Sequence, residues 1–317
     1  MKPLLLFTLA LSLFCLRASA QTSGLAAGET VTGTPVPIVV TAEPLGGTEA
    51  PAVALGDVTA WQGRTRLPLK EWVPLQGDKA GLELYLLIDE RVDPAQTMLF
   101  DQLRRFVLNQ PPSTAVGIAY MFNGEAHIAR TPTADHALAA DVLRITSGTE
   151  SAGASPFMSL SALVNGWGNG ATRREVLAVT DGIDRFGDFG DMNMYVDQSV
   201  ADAQRTGVLV YCLYARALGH AGHSPALIRW GQTYLGQVAE ETGGEAYLMT
   251  PNTPGAIEQS LGDLQRHLAH QYLATILLPP GAGVGFQAVR FTTEVPNVDL
   301  TSAHGVYGSA RVPATGE

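Results

Sequence analysis

The chain has 317 residues, 46% hydrophobic and 16% charged, which supplies one large domain with a sizeable core plus a small appendage and argues against disorder throughout. The formal net charge is −10, and setting aside Lys2 and Arg17 with residues 1–20 leaves 18 bases against 30 acids, or −12. That balance argues against nucleic acid as a partner, because such binding rests on clustered Lys and Arg neutralising phosphates.

Residues 1–20, MKPLLLFTLALSLFCLRASA, place Lys2 before an apolar stretch from Pro3 to Leu16 and end in Ala18-Ser19-Ala20, the pattern of a signal-peptidase site. They predict an exported protein, periplasmic or extracellular, that starts near Gln21. The apolar run is shorter than the ~20 residues a bilayer core requires, and no later segment is long enough to insert. Cys212 is then the single cysteine, so no intrachain disulfide is expected, and its place in V-L-V-Y-C-L-Y reads as a small buried hydrophobe.

Residues 21–50, rich in Gly, Thr, Pro and Ala with one strand-like patch at 37–42, read as a flexible leader with few contacts. Residues 51–80 hold short strands around the Gln62-Gly63 turn. From Leu82 the periodicity alternates. The strand L-E-L-Y-L-L-I is followed by a helix over 94–109, with Leu99, Leu103, Phe106 and Val107 on one face. The strand V-G-I-A-Y-M-F then turns at Asn123-Gly124 into E-A-H-I-A-R, a hairpin signal because Asn-Gly supplies the positive φ angles of a tight turn.

Helices fit 135–145 and 156–167, and V-L-A-V-T leads into Asp181-Gly182. A helix over 193–206, a strand over 208–214, and a helix opened by Ser224-Pro225 and closed by Gly243-Gly244 come next. E-A-Y-L-M-T is the following strand, Pro254 opens a helix carrying Leu261, Leu264 and Leu268, and Q-Y-L-A-T-I-L-L-P closes the pattern.

Apolar strands separated by amphipathic helices predict an α/β fold, a doubly wound, mostly parallel sheet with helices on both faces over 81–280. Residues 281–317 have strand character and are expected to form a small β add-on that pairs with the 51–80 strands. Ligands of doubly wound sheets sit beyond the carboxyl ends of the strands, which puts Asp89, Asp181 and the loops 147–156 and 215–223 on one rim.

The order strand-Asp, Ser/Thr loop, strand-Thr-Asp-Gly, then T-G-G before a short strand resembles the von Willebrand factor type A domain. More narrowly, the W-x-P-L patch, G-Q-T-Y-L-G-Q-V-A-E-E-T-G-G at 231–244, Q-Y-L at 271–273 and the β tail resemble a secreted bacterial subfamily described as von Willebrand factor A-related in acidobacteria. The resemblance implies a metal-ion-dependent adhesion site in which Asp89, Ser155 and Asp181 match the first aspartate, the threonine and the third-loop aspartate. Hard oxygen ligands of this kind suit Mg²⁺ or Ca²⁺.

Arg91 and Asp93 stand where that family has its two serines. A guanidinium has donors and no acceptor, so it cannot ligate a metal and repels one. The expected outcome is an internal ion pair of Arg91 with Asp89, Asp181 or Asp93. A weak Mg²⁺ or Ca²⁺ site with Asp93 as a new ligand, and an Arg91 that points outward, are the alternatives.

In D-R-F-G-D-F-G-D at 184–191, Asp184, Asp188 and Asp191 lack EF-hand spacing, and Phe186 and Phe189 are either tucked in or presented to a partner. His220 and His223 in H-A-G-H are two imidazoles without a third placed ligand. The chain has no G-x-S-x-G elbow, H-E-x-x-H or Walker loop, and G-A-G-V-G at 281–285 precedes a strand-like run where a dinucleotide site needs a helix. The leading expectation is therefore a non-enzymatic, cofactor-free protein that binds another protein through a rim of Asp89, Arg91, Asp93, Ser155, Asp181, Phe186 and Phe189. The rivals are a metal-dependent adhesion module, a secreted hydrolase using His220, His223 and the acids near 181–191, and a scaffold of an envelope complex.

Overall fold

The computed structural model describes residues 33–46, 50–148, 155–168, 173–186, 190, 192–219, 222–248, 255–279 and 285–308. The predicted signal at 1–20 lies outside them. In chain order the elements begin with β1 (Thr34–Pro44), β2 (Val58–Gln62), β3 (Thr65–Leu67), β4 (Leu69–Pro74), β5 (Leu82–Asp89), α1 (Thr97–Leu108), β6 (Thr114–Phe122) and β7 (Glu125–Thr133). The middle of the chain forms α2 (His136–Asp141), α3 (Pro156–Gly166), β8 (Arg174–Thr180), α4 (Met194–Thr206), β9 (Val208–Tyr214), α5 (Pro225–Thr242) and β10 (Ala246–Tyr247). It ends with α6 (Ala256–Ala269), β11 (Gln271–Leu278), β12 (Gly285–Ala288), β13 (Arg290–Thr293), β14 (Val298–Ser302) and β15 (Gly305–Gly308).

Six strands make the main sheet in the order β10-β9-β8-β5-β6-β7. All pair in parallel except β7, which returns antiparallel to β6. The turn between β6 and β7 uses Asn123 at φ 52° and Gly124 at φ 79°, the two left-handed residues of a type I′ hairpin. Successive side chains of a strand point to opposite faces, so β5 feeds two cores. Leu84, Leu86 and Ile88 pack with α1 (Leu99, Leu103, Phe106) and α6 (Leu261, Leu264, Leu268). Tyr85 and Leu87 pack with α3 (Leu160, Leu163, Val164), α4 (Val196, Val200) and α5 (Leu235, Val238). Burial on both faces is why β5, β8 and β9 read as continuous apolar runs, and the predicted mostly parallel α/β class is what the chain adopts.

Two readings are corrected here. Residues 34–44 of the expected leader form β1, which lies between β11 and β14 in a four-stranded sheet ordered β14-β1-β11-β4. The strand-like patch expected at 37–42 lies inside it, and Pro35 and Pro37, a residue type usually confined to strand edges, fall in its first half. They fall in the half of β1 that has β11 as its neighbour and lies before the β14 register, which starts at Val40.

The second correction is β11, read as the closing strand of the main sheet. It pairs antiparallel with β1 and β4 in the second sheet. Its Ala274, Ile276 and Leu278 enter a third core with Ile38, Val40, Trp72, Phe291 and Leu300, while Leu273 on its other side packs against the α1–α6 core. An antiparallel strand covered on both sides has the same apolar signature as a buried parallel one.

Trp72 anchors that third core, stacking on Tyr272 at 4.7 Å and donating its indole N–H to the Val53 carbonyl at 2.9 Å. In the tail, β13 pairs antiparallel with β2, and β12 with β15. The helix expected over 135–145 is shortened to α2, capped by Asp135. Of the strand expected from E-A-Y-L-M-T, β10 takes Ala246 and Tyr247, while Met249 and Thr250 lie outside the described residues.

Candidate functional site

The carboxyl ends of β5 and β8 lie side by side and carry the rim. Asp89 is the last residue of β5, and Thr180, the last of β8, donates its hydroxyl to Asp89 Oδ2 at 2.7 Å. The chain turns back at once, so that the Arg91 backbone N–H donates to Asp89 Oδ1 at 2.9 Å. The Arg91 side chain folds over the same carboxylate, with Nε 3.2 Å from each oxygen and Nη2 2.8 Å from Oδ2. Nη2 also donates to Asp181 Oδ1 and to the Ile183 carbonyl, both at 3.3 Å. The side chains are sealed: Arg91 is 2% exposed, Asp89 5% and Asp181 0%.

Asp181 is held by a close backbone approach. Its carbonyl oxygen would lie 2.4 Å from a Cβ placed on Gly231 of α5, and Gly182, at φ 68°, faces the Gly231 carbonyl in turn. The first glycine of G-Q-T-Y-L-G therefore lets α5 seat against the third rim loop. Asp181 Oδ1 caps the turn by accepting the Ile183 N–H at 3.0 Å.

One cation thus serves two buried carboxylates, and the two respond differently. Burial acts to raise the Asp89 carboxyl, but the charge and hydrogen bonds of Arg91, with the Thr180 hydroxyl, outweigh it and hold that group below its ordinary range. Burial also acts on Asp181, with the Asp89 charge adding and Arg91 opposing, and pushes its carboxyl up to about 6. Burial works against the Arg91 cation, yet Asp89 and Asp181 together hold it more firmly protonated than a free guanidinium.

The residues present do not fit the divalent ion that the resemblance implies. The guanidinium lies between Asp89 and Asp181, where an ion would have to bridge them, and two like unit charges about 4 Å apart cost ~4 kcal/mol at an intermediate dielectric. Asp93 does not join the ion pair; its Oδ1 accepts the Ala95 N–H at 2.9 Å. Ser155 is buried and uses its hydroxyl as the N-cap of α3, accepting from the Met158 N–H at 3.4 Å.

The neighbouring loops are fastened over this centre. Arg144 pairs with Glu90 and lies over the Tyr120 ring at 4.2 Å, and the Thr146 hydroxyl donates to the Val92 carbonyl at 2.6 Å. Asp184 is a brace: it accepts the Phe186 N–H at 2.8 Å and the Asn193 side-chain amide at 3.1 Å, and Asn193 caps α4. His223 Nε2 lies 3.0 Å from Arg185 Nη2, which donates to it. Phe186 is 55% exposed and meets Tyr195 edge-on at 5.9 Å. Asp188, Phe189, Asp191 and His220 lie outside the described residues.

The structure therefore brings Asp89, Arg91 and Asp181 together and gives Asp93 and Ser155 local capping roles. The sequence reading omitted Glu90 and Arg144, whose pairing joins residues distant in sequence and left no motif. A further cluster, Glu245, Asp263 and His267, went unnoticed, although the i, i+4 spacing on α6 was there to be read.

Counted from β5, the strand order is 3-2-1-4-5-6, with the third strand antiparallel and acids at the tips of the first and fourth. This is a von Willebrand factor type A fold. No family model matches the sequence, and no curated protein does either. Among solved structures, an aerotolerance-related membrane protein of Bacteroides fragilis NCTC 9343, crystallised with multiple mutations to serines, is similar at 14% identity and a TM-score of 0.45, over 59% of this chain and 98% of that one. A von Willebrand factor type A protein from Catenulispora acidiphila is similar at 7% identity and 0.43, over 90% of this chain and 76% of that one. The vWF domain of the type V pili tip protein Mfa5 from Porphyromonas gingivalis follows at 11% identity and 0.41, over 58% and 95%. In this type A fold the extra sheet of β1, β4, β11 and β14 is built by segments on either side of the main sheet's own strands.

Proposed function

We propose that the chain is an exported, non-enzymatic protein-binding module, of the adhesion or envelope-complex kind, that recognises its partner through the carboxyl rim of the type A sheet without a divalent metal. One observation carries the reading: the rim buries its central ion pair and shows apolar groups around it. Asp89, Arg91 and Asp181 are sealed, whereas Met98 at the start of α1, Phe186 after β8, Met192 and Met194 around the start of α4, and Leu218 after β9 stand 43–83% exposed. Exposed aromatic and methionine side chains around a rigid frame are the composition of a protein-recognition surface, because they bury large areas on contact. The ion pair then acts as the internal brace that sets the loops carrying those groups. No helix among the described residues is long and apolar enough to cross a membrane.

Site-specific photo-crosslinking in the producing cell tests this reading. A benzophenone side chain at position 186 is expected to give a discrete adduct that persists in EDTA and disappears with Met194→Asp. The same group at exposed position 79, beyond the opposite end of β5, is expected to give none. Equal adducts from both positions, or an adduct at 186 lost in EDTA, overturn the reading.

A further inference from the structure

The free edge of the main sheet, at β10, holds ligating side chains that the rim does not use. Glu245 stands at the entry to β10, and Asp263 and His267 sit four residues apart on α6. Residues at i and i+4 share a helix face, so α6 presents both toward the same point. One ligand atom from each of Glu245, Asp263 and His267 lies within 4.8 Å of the others, and His267 Nε2 is 3.5 Å from Glu245 Oε2.

Glu245 is fixed there by the backbone. Gly243 closes α5 at φ 85°, and any Cβ on Gly244 would come 2.2 Å from the Val210 carbonyl oxygen. These glycines of E-E-T-G-G let the chain pass against β9, where the Glu245 carbonyl accepts the Cys212 N–H at 2.9 Å.

A second, independent observation points to a ligand. Tyr247, two residues along from Glu245 and so on the same face, packs in the core beneath α6 at 6% exposure, and its buried hydroxyl has no hydrogen-bond partner among the described residues. A buried phenol ordinarily finds one.

We propose that Glu245, Asp263 and His267 form a binding site for a divalent transition-metal ion of the zinc class, with the Tyr247 hydroxyl at its inner wall. One imidazole and two carboxylates offer borderline nitrogen with hard oxygen and neutralise both charges of the ion. Mg²⁺ and Ca²⁺ take oxygen in larger shells and find too few donors here. Around Zn²⁺, with ligand bonds of about 2.1 Å, ligand atoms stand about 3.4 Å apart in a tetrahedron. The closure from 4.8 Å falls to Glu245, whose side chain is 45% exposed, and to Asp263, whose exposed contact to Arg266 an ion displaces. Three protein ligands leave the fourth position to water.

Calorimetric titration of the tag-free chain with zinc chloride tests the site. The expected result is one equivalent bound at micromolar concentration, with magnesium and calcium silent. Removing an outer partner of a metal ligand already weakens binding roughly 10- to 100-fold, so His267→Gln, which deletes a ligand, is expected to weaken it by at least that much. Asp263→Asn, on the helix surface, is expected to do the same with an unchanged circular dichroism spectrum, and His304→Gln to leave binding intact. Absence of stoichiometric zinc binding by the wild type, or binding by His267→Gln and Asp263→Asn as tight as that of the wild type, overturns the assignment.

Discussion

Arg91→Ala removes the one cation shared by two sealed carboxylates, and the loss is large for a definite reason. The guanidinium is 2% exposed and donates to Asp89, Asp181 and the Ile183 carbonyl. Deleting one partner of a buried pair costs about 3–5 kcal/mol, because the remaining charges keep their desolvation penalty without compensation. In a chain of this size each kcal/mol moves the melting temperature by about 2–4 °C, so the variant is expected to melt ~6–20 °C below wild type. The assay is thermal unfolding followed by circular dichroism at neutral pH in EDTA. A companion, Arg91→Ser, is expected to lose as much in EDTA and to regain part of it on adding Mg²⁺, to which the wild type is indifferent. An Arg91→Ala melting point within about 2 °C of wild type, less than a single kcal/mol would produce, refutes the idea that the ion pair braces the rim.

Asp181 gives the rim a pH signature. Its native carboxyl is raised to about 6 from 3.8, so its share of stability is fully present below pH 3.8 and fades as pH rises through 6. A shift of this size is worth about 3 kcal/mol at most, and Asp89, lowered in the fold, contributes with the opposite sign at more acid pH. Urea melts of wild type and Asp181→Asn at either end of that window are expected to differ in slope, and parallel curves would contradict the assignment. The Cys212 thiol, pushed up to about 12 by burial, is expected to ignore a thiol reagent at pH 8 until the chain is unfolded, and rapid native labelling would show that β9 opens. Gly231→Ala, whose Cβ would meet the Asp181 carbonyl at 2.4 Å, is expected to cost about 1–3 kcal/mol by overpacking. Gly236→Ala on the same helix, with open space around it, is expected to be neutral or to gain up to about 1 kcal/mol, and denaturant midpoints that rank the two alike would remove this account of the motif.

The main sheet was legible because its physics is local. Runs such as L-E-L-Y-L-L-I and V-L-V-Y-C-L-Y are apolar at every register since both faces are covered, and Asn123-Gly124 and Ser224-Pro225 each mark a boundary with a stereochemical reason. The second sheet was not, because pairing partners leave no mark in either strand alone. Nothing in P-V-P-I-V-V names Q-Y-L-A-T-I-L-L as its neighbour. At the rim, the sequence named Arg91 and three acids within reach. Which two acids close on the guanidinium depends on how the 181–183 turn seats on α5, and that is set by Gly231, fifty residues further on.

The way β1 is laid into its sheet has a consequence for how the protein comes into being. Thr34 lies opposite Leu278, and Val40 lies opposite Ser302. β1 therefore leaves the ribosome before both of its neighbours and pairs only when β11 and β14 have been made. Throughout synthesis its open edge and the apolar side chains Ile38 and Val40 have no partner strand, while β5, β6, α1 and β8 pair with one another early. An uncovered strand edge is a feature by which nascent chains aggregate, and β1 carries one until β11 and β14 are made. Once β11 and β14 close over it, a fusion or cut near residue 34 perturbs the same sheet as one near residue 302, and two segments far apart in sequence answer as a single place.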